Sequence, residues 1–161
     1  MRPGVRLGVD VGKARVGIAS SDRDGLLATP VATLLRADAD KRAFRILVAD
    51  YSAVEIVIGL PISLSGADTA STTDAREFAA DVAQWTELPV RLVDERLSTV
   101  SAQRALRDSG RRTKGSRPVI DQVAAVIILQ NALDSERSAG RPPGVLVDPE
   151  SGDNPFERAD R

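Results

Sequence analysis

Two short apolar runs open the chain. Val5 to Val11 carries one acid, Asp10, in its interior, and Val16 to Ala19 follows after Gly12 to Arg15. Runs of this length and β-branched content, split by a turn signal, predict a hairpin with a carboxylate on its first strand. Leu26 to Leu35 reads as a third strand with Thr29-Pro30 at an edge or bulge, because proline cannot donate to a ladder. Asp38 or Asp40 suits a helix N-cap. Beyond them Phe44, Leu47, Val48 and Tyr51 recur at helical spacing and predict a helix to about Tyr51 with one face on a core. Glu55 to Leu60 is continuously apolar after its first residue, the mark of a strand buried on both faces. A polar loop around Gly66 precedes a helix predicted from Thr72 to Trp85, with Ala75, Phe78, Val82 and Trp85 on one stripe. Pro89 to Val93 reads as a fifth strand running into Asp94-Glu95-Arg96. A short helix is expected from Val100 to Asp108, capped by Ser98 or Thr99. A basic loop and a long apolar helix from about Pro118 to Arg137 follow, with Asp121 in the first turn of that helix.

Three strands followed by alternating helix and strand predict an α/β domain with a mixed sheet and helices on both faces. Right-handed crossovers put the fourth and fifth strands beyond the first, giving the order 3-2-1-4-5 with the first strand central. The domain is expected to span residues 1–138. From Ala139 to Arg161 apolar content is low, and a disordered or loosely docked tail is expected.

Composition narrows the chemistry. The 161 residues suit one domain with a single core. There is no cysteine and no histidine, which excludes thiolate sites, serine–histidine catalysis and histidine-ligated zinc. Hydrolysis would have to rest on carboxylates, Lys, Ser/Thr or a hard cation such as Mg²⁺ or Mn²⁺. The cysteine-free composition, the lack of an apolar leader after Met1 and the lack of a membrane-length run lead us to expect a cytoplasmic protein with no membrane partner. The net charge of −1 hides a basic block: Arg96, Arg104, Arg107, Arg111, Arg112, Lys114 and Arg117, with Asp108 the only acid among them. Such a block suits a polyanion; a solvated helix face and loop is the plainer explanation.

The acids are placed more tellingly. Ligands of open α/β sheets gather at the carboxyl ends of parallel strands. Asp10 lies near that end of the first strand, Asp94-Glu95 close the fifth, and Asp121 begins a helix able to cross the same end. Converging carboxylates repel unless one takes up a proton or a cation relieves them. Two divalent cations held there can activate water and stabilise a leaving oxygen in phosphodiester cleavage. Each acid also has an ordinary explanation: an exposed strand end for Asp10, pairing with Arg91 or Arg96 for Asp94-Glu95, and the helix dipole for Asp121.

Leu7-Gly-Val-Asp10-Val-Gly, Val57-Ile-Gly-Leu-Pro61, Val93-Asp-Glu-Arg-Leu-Ser-Thr99 and Ile120-Asp-Gln-Val-Ala-Ala-Val-Ile-Ile-Leu129 occur in this order. Together they resemble the YqgF/RuvX family, Holliday-junction-resolvase-like proteins also described as pre-16S rRNA nucleases. The resemblance implies an RNase H-like fold and a divalent-metal nuclease that matures the 5′ end of 16S ribosomal RNA or resolves branched DNA. It implies Asp10, Glu95 and Asp121 as catalytic and metal-binding acids, with Mg²⁺ or Mn²⁺ as cofactor and Asp94 adjacent. It implies Lys13, Arg15, Arg96, Thr99, Arg111, Arg112, Lys114 and Arg117 as contacts to nucleic acid. Ala124 and Ala125 stand where related junction resolvases carry a further acid, which favours precursor rRNA over a junction. A monomer would suit RNA processing, and a homodimer would suit symmetric junction cleavage. Two other classes stay open: an ATP phosphate loop like that of the actin/hexokinase/Hsp70 superfamily, and a nucleic-acid-binding module without catalysis.

Overall fold

A computed structural model describes residues 1–96 and 117–148. The strands are β1 (Val5–Val11), β2 (Arg15–Ser21), β3 (Ala28–Leu35), β4 (Ala53–Leu60), β5 (Val90–Asp94) and β6 (Val145–Leu146). The α-helices are α1 (Lys41–Tyr51), α2 (Ala70–Thr86) and α3 (Arg117–Ala139), and a 3₁₀ turn covers Arg36–Asp38. The sheet order is β3-β2-β1-β4-β5-β6. β1, β4 and β5 are parallel, while β2, β3 and β6 pair antiparallel with their neighbours. The α/β class, the mixed sheet and the order of the first five strands match the sequence reading.

The strand count does not: there are six strands, not five. Val145 and Leu146 pair with Leu92 and Arg91 along the outer edge of β5, and the Val147 N–H donates to the Val90 carbonyl at 2.8 Å. A loose tail had been expected from Ala139. An otherwise bare edge strand offers unpaired backbone groups, and the short apolar run Val145-Leu146-Val147 is enough to cover them. The tail beyond 148 and the helix expected at 100–108 lie outside the described residues.

Local chemistry fixes the element ends. β3 starts later than expected because the Asp22 carboxylate accepts from the backbone N–H groups of Leu26 and Leu27, holding them in the turn. The register slips between Ile18 and Ala19, next to the Ala19–Pro30 pair, so Pro30 sits at a bulge on an edge strand. Asp40, not Asp38, caps α1 by accepting from Ala43 N–H at 3.0 Å. Phe44 is buried and Leu47 and Val48 partly so, but Tyr51 is exposed because the helix ends beside it at left-handed Ser52. α2 begins at Ala70, before the expected Thr72. Thr69 and Thr72 form a reciprocal capping box, and the Thr72 hydroxyl also donates to the Pro61 carbonyl.

The sheet separates two cores. Leu7, Val9, Val11, Ile56, Ile58 and Leu60 face α1 and α2, where Phe44, Phe78 and Trp85 stack edge to face or tilted with centroids 5.7 to 6.0 Å apart. Ala19, Val57 and the apolar side of α3 (Ala124, Ala125, Ile128, Leu129, Ala132 and Leu133) form the other. Side chains alternate across a strand, so the odd-numbered residues of β1 belong to the first core and Gly8 and Asp10 point at α3. Among the described residues no helix is long and apolar enough to cross a membrane.

Candidate active site

Asp10 is fully buried, at 0 % exposure, directly opposite Gly17 on β2. Residues opposed in an antiparallel pair present the same face. A Cβ built on Gly17 would overlap the Asp121 backbone carbonyl and stand 3.3 Å from the Asp121 Cβ. α3 therefore lies on the sheet at this point, bringing Asp121 over the strand next to Asp10.

A second glycine does the same on the other side. The β1–β4 register pairs Val9 with Ile58, so Asp10 and Gly59 are neighbours one residue on. A Cβ on Gly59 would overlap Glu95 Oε1 and stand 2.6 Å from the Ile128 side chain. Glu95 follows β5 directly, and its N–H donates to the Leu60 carbonyl at 3.2 Å. Asp10 is thus flanked by two glycines, with Asp121 over one and Glu95 over the other. Neighbouring strands are about 4.8 Å apart, so the acids share one small volume. Glu95 and Asp121 are each only 2 % exposed.

The structure sets Asp10, Glu95 and Asp121 at one end of the sheet, on β1, just after β5 and on α3. It also weakens their ordinary explanations. Asp10 is not at an exposed strand end. Asp121 lies beyond the first turn of a helix that starts at Arg117, not within it as expected, so the end of the helix dipole does not account for a buried acid there. Asp94 separates from the group. It is exposed, and the Arg96 guanidinium binds both its oxygens, at 2.9 Å from Nε to Oδ2 and 2.6 Å from Nη2 to Oδ2, with Nε to Oδ1 at 3.1 Å. Partial burial would raise the Asp94 carboxyl, but the Arg96 hydrogen bonds and charge outweigh it and hold the group below its ordinary range.

The nucleic-acid contacts are placed unevenly. Lys13 is exposed and Arg15 half-buried in and beside the β1–β2 turn, at the same end of the sheet. Arg96 is committed to Asp94, and one of its nitrogens approaches Gly66 in the loop after β4. Thr99, Arg111, Arg112 and Lys114 lie outside the described residues, and of Arg117 only its place at the start of α3 is described. Gly17 and Gly59 were not singled out as site residues. A glycine inside a strand does signal a close approach, though not by what.

The donors suit a hard divalent cation: all are carboxylate oxygens, and the two missing Cβ atoms let α3 and Glu95 come down onto the strands that flank Asp10. As they stand, no three acidic side chains among the described residues are arranged to hold a metal ion, so the acids converge without closing into a cage.

This sheet and site define an RNase H-like α/β protein. The fold matches Thermus thermophilus RuvC, solved in complex with a Holliday junction substrate, with a TM-score of 0.51 at 15% identity, over 87% of this chain and 99% of that one. A profile of the RuvX family, described as Holliday junction resolvase, matches residues 4–135, and the chain belongs to that family. A relative from Clavibacter michiganensis is 61% identical over 150 residues, covering 91% of this chain and 93% of its own length. One from Leifsonia xyli is 56% identical over 154 residues, covering 94% and 99%. Both carry the name "Putative pre-16S rRNA nuclease".

Proposed function

We propose that this chain is a divalent-metal-dependent endonuclease that hydrolyses a phosphodiester bond at the 5′ end of precursor 16S rRNA in the cytoplasm. The convergence of Asp10, Glu95 and Asp121 over the glycine-lined end of β1 and β4 carries the reading. These three carboxylates would hold Mg²⁺ or Mn²⁺. A bound cation of this kind activates water and stabilises the leaving oxygen of a phosphodiester. Asp10, on the central strand, fixes the floor of the site. Glu95 and Asp121 approach from opposite sides on separate elements, so each can shift to accept charge without unfolding the sheet. Asp94 holds the Arg96 guanidinium at the rim, where it can meet a phosphate. Lys13 and Arg15 offer charge to the backbone beside the scissile bond, which positions a strand without reading its sequence.

Purified protein with Mn²⁺ or Mg²⁺ would be given a 5′-extended 16S precursor and a four-way DNA junction. We expect cutting of the RNA that is lost in Asp10→Asn. Symmetric nicking of the junction alone would replace this reading with a resolvase. Metal-independent binding without cleavage of either would replace it with a binding module.

A further inference from the structure

Among the described residues at the active-site end, three arginines have acidic partners: Arg36 with Asp74, Arg76 with Asp68, Arg96 with Asp94. Lys41, Arg42 and Arg45 differ. All three are exposed on the first two turns of α1. None forms an ion pair with a described residue, and Arg45 lies one turn below Lys41 on the same side. With Asp40 and Ile46 they line an open groove of about 490 Å³.

The topology puts this groove at the end of the sheet that holds the carboxylates. β3 ends at Leu35 opposite Arg15, the Arg36 N–H donates to the Ala14 carbonyl at 2.8 Å, and Arg36 Nη1 donates to the Gly12 carbonyl at 2.9 Å. The chain thus passes from the β1–β2 turn, across the 3₁₀ turn, into the start of α1. α1 then descends to β4, which begins at Ala53 at the far end of the sheet. Lys13 and Arg15, in and beside the β1–β2 turn, lie at this same end, where the chain crosses from the carboxylate face of the sheet to the face that α1 covers. The one acid in the groove, Asp40, has its Oδ1 engaged by the Ala43 N–H.

We propose that the Lys41–Arg42–Arg45 groove is a second phosphate-binding track, which holds the nucleic-acid backbone beyond the scissile bond. The inference rests on the nuclease reading and deepens it: the substrate extends past the β1–β2 turn and is gripped along α1. Three exposed cations around one open surface suit a run of phosphates, and exposed Ile46 offers apolar contact to sugars. Phe44, Phe78 and Trp85 are packed on one another in the core, so they offer no platform for bases here. Recognition along the track is therefore by backbone shape and charge.

The test uses Asp10→Asn protein, which leaves substrates whole, and fluorescence anisotropy over a salt series. The probes are a short RNA hairpin and the same hairpin extended by roughly one helical turn, about ten base pairs. Parallel DNA versions tell whether the track distinguishes the two backbones. The triple exchange Lys41→Gln, Arg42→Gln, Arg45→Gln should weaken the long probe on the order of tenfold and lower its salt slope by about two to three. Each lost phosphate contact is worth roughly 0.7 to 0.9 in slope. Binding of the short probe should change less than about twofold. Arg42→Lys with Arg45→Lys should retain long-probe binding, because a phosphate contact asks for charge. Arg23→Gln with Arg141→Gln, exposed cations far from this groove, serves as the charge control. Equal losses on both probes, an unchanged slope, or the same loss in the control would overturn the track. Failure of the unsubstituted Asp10→Asn protein to bind any probe would overturn the nuclease reading as well. If the triple variant melts early, single Arg42→Gln and Arg45→Gln exchanges should each lower the slope by about one.

Discussion

Glu55 and Glu136 are buried at the amino ends of β1, β4 and β5; Asp10, Glu95 and Asp121 are buried at the carboxyl ends. The two groups are built on different principles. Glu55 receives both terminal nitrogens of Arg2 at 3.0 Å and Arg91 Nε at 3.0 Å. Glu136 receives Arg2 Nε and stands 3.7 Å from Arg6, which is 1 % exposed and donates to the Gly4 carbonyl through Nη1. This network ties the N-terminus, three strands and the end of α3 together with arginines. At the other end, Arg96 follows Glu95 in the chain yet gives its guanidinium to Asp94, and two glycines let Asp121 and Glu95 approach the strands beside Asp10. Buried charge balanced by arginine is a structural device.

Substitutions can break this comparison or sharpen it, and the largest expected effect is on activity. Asp10→Asn should lower metal-dependent cleavage on the order of a thousandfold, the several kcal/mol that a bound cation contributes to the transition state. Its melting temperature should change little, because Asn keeps the shape of the side chain; a large fall in melting temperature would mean that Asp10 is structural. Glu136→Gln should do the reverse, costing about 3–5 kcal/mol in urea unfolding because Arg6 stays buried without its carboxylate. Cleavage by the folded fraction should be retained. Gly17→Ala should cost about 1–3 kcal/mol and lose activity too, since the added methyl meets the backbone of α3, which cannot yield without moving the helix. Gly59→Ala meets the ends of the Glu95 and Ile128 side chains, so it should displace the carboxylate and reduce cleavage at a smaller cost in stability. Thermal melting with and without Mn²⁺ separates the two: a cation-induced rise should persist in Gly59→Ala only in weakened form and vanish in Asp10→Asn.

The smallest effect is a pH dependence. Burial would raise the Glu55 carboxyl, but the hydrogen bonds and charges of Arg2 and Arg91 outweigh it and hold the group below its ordinary value of 4.5. A carboxyl depressed in the folded state contributes stability above its unfolded value and loses it as pH falls through the folded one. The stability gap between wild type and Glu55→Gln should therefore be full at neutral pH and close on acidification below about pH 4. A gap that stays constant in acid would show that the Arg2 and Arg91 bonds do not depend on the charge of Glu55.

The sequence was legible where a single residue's chemistry decides the outcome. The hairpin, the buried β4, the amphipathic α2 and the strand order followed from apolar spacing, proline and the handedness of crossovers. Asp10, Asp94-Glu95 and Asp121 were legible as candidates because each was expected at the carboxyl end of the parallel strands, and the family resemblance pointed to Glu95 of the adjacent pair. The missing histidine and cysteine left carboxylates as the natural ligands of a metal.

Tertiary structure decided what depends on distances between elements far apart in the chain. Nothing around Val145 announces that it will cover the edge of β5, because a two-residue pairing has no periodicity to read. Gly17 and Gly59 look like interruptions of strands until α3 and Glu95 are seen to occupy the volume of their missing side chains. Asp94 and Glu95 are adjacent and chemically alike, yet one is exposed beside Arg96 and the other is buried over Gly59. Lys41, Arg42 and Arg45 read as an ordinary polar helix face until the connection from β3 sets that helix at the carboxyl end of the sheet. Local propensity fixes which segments are strands and helices, but only packing decides which charged groups come to lie beside one another.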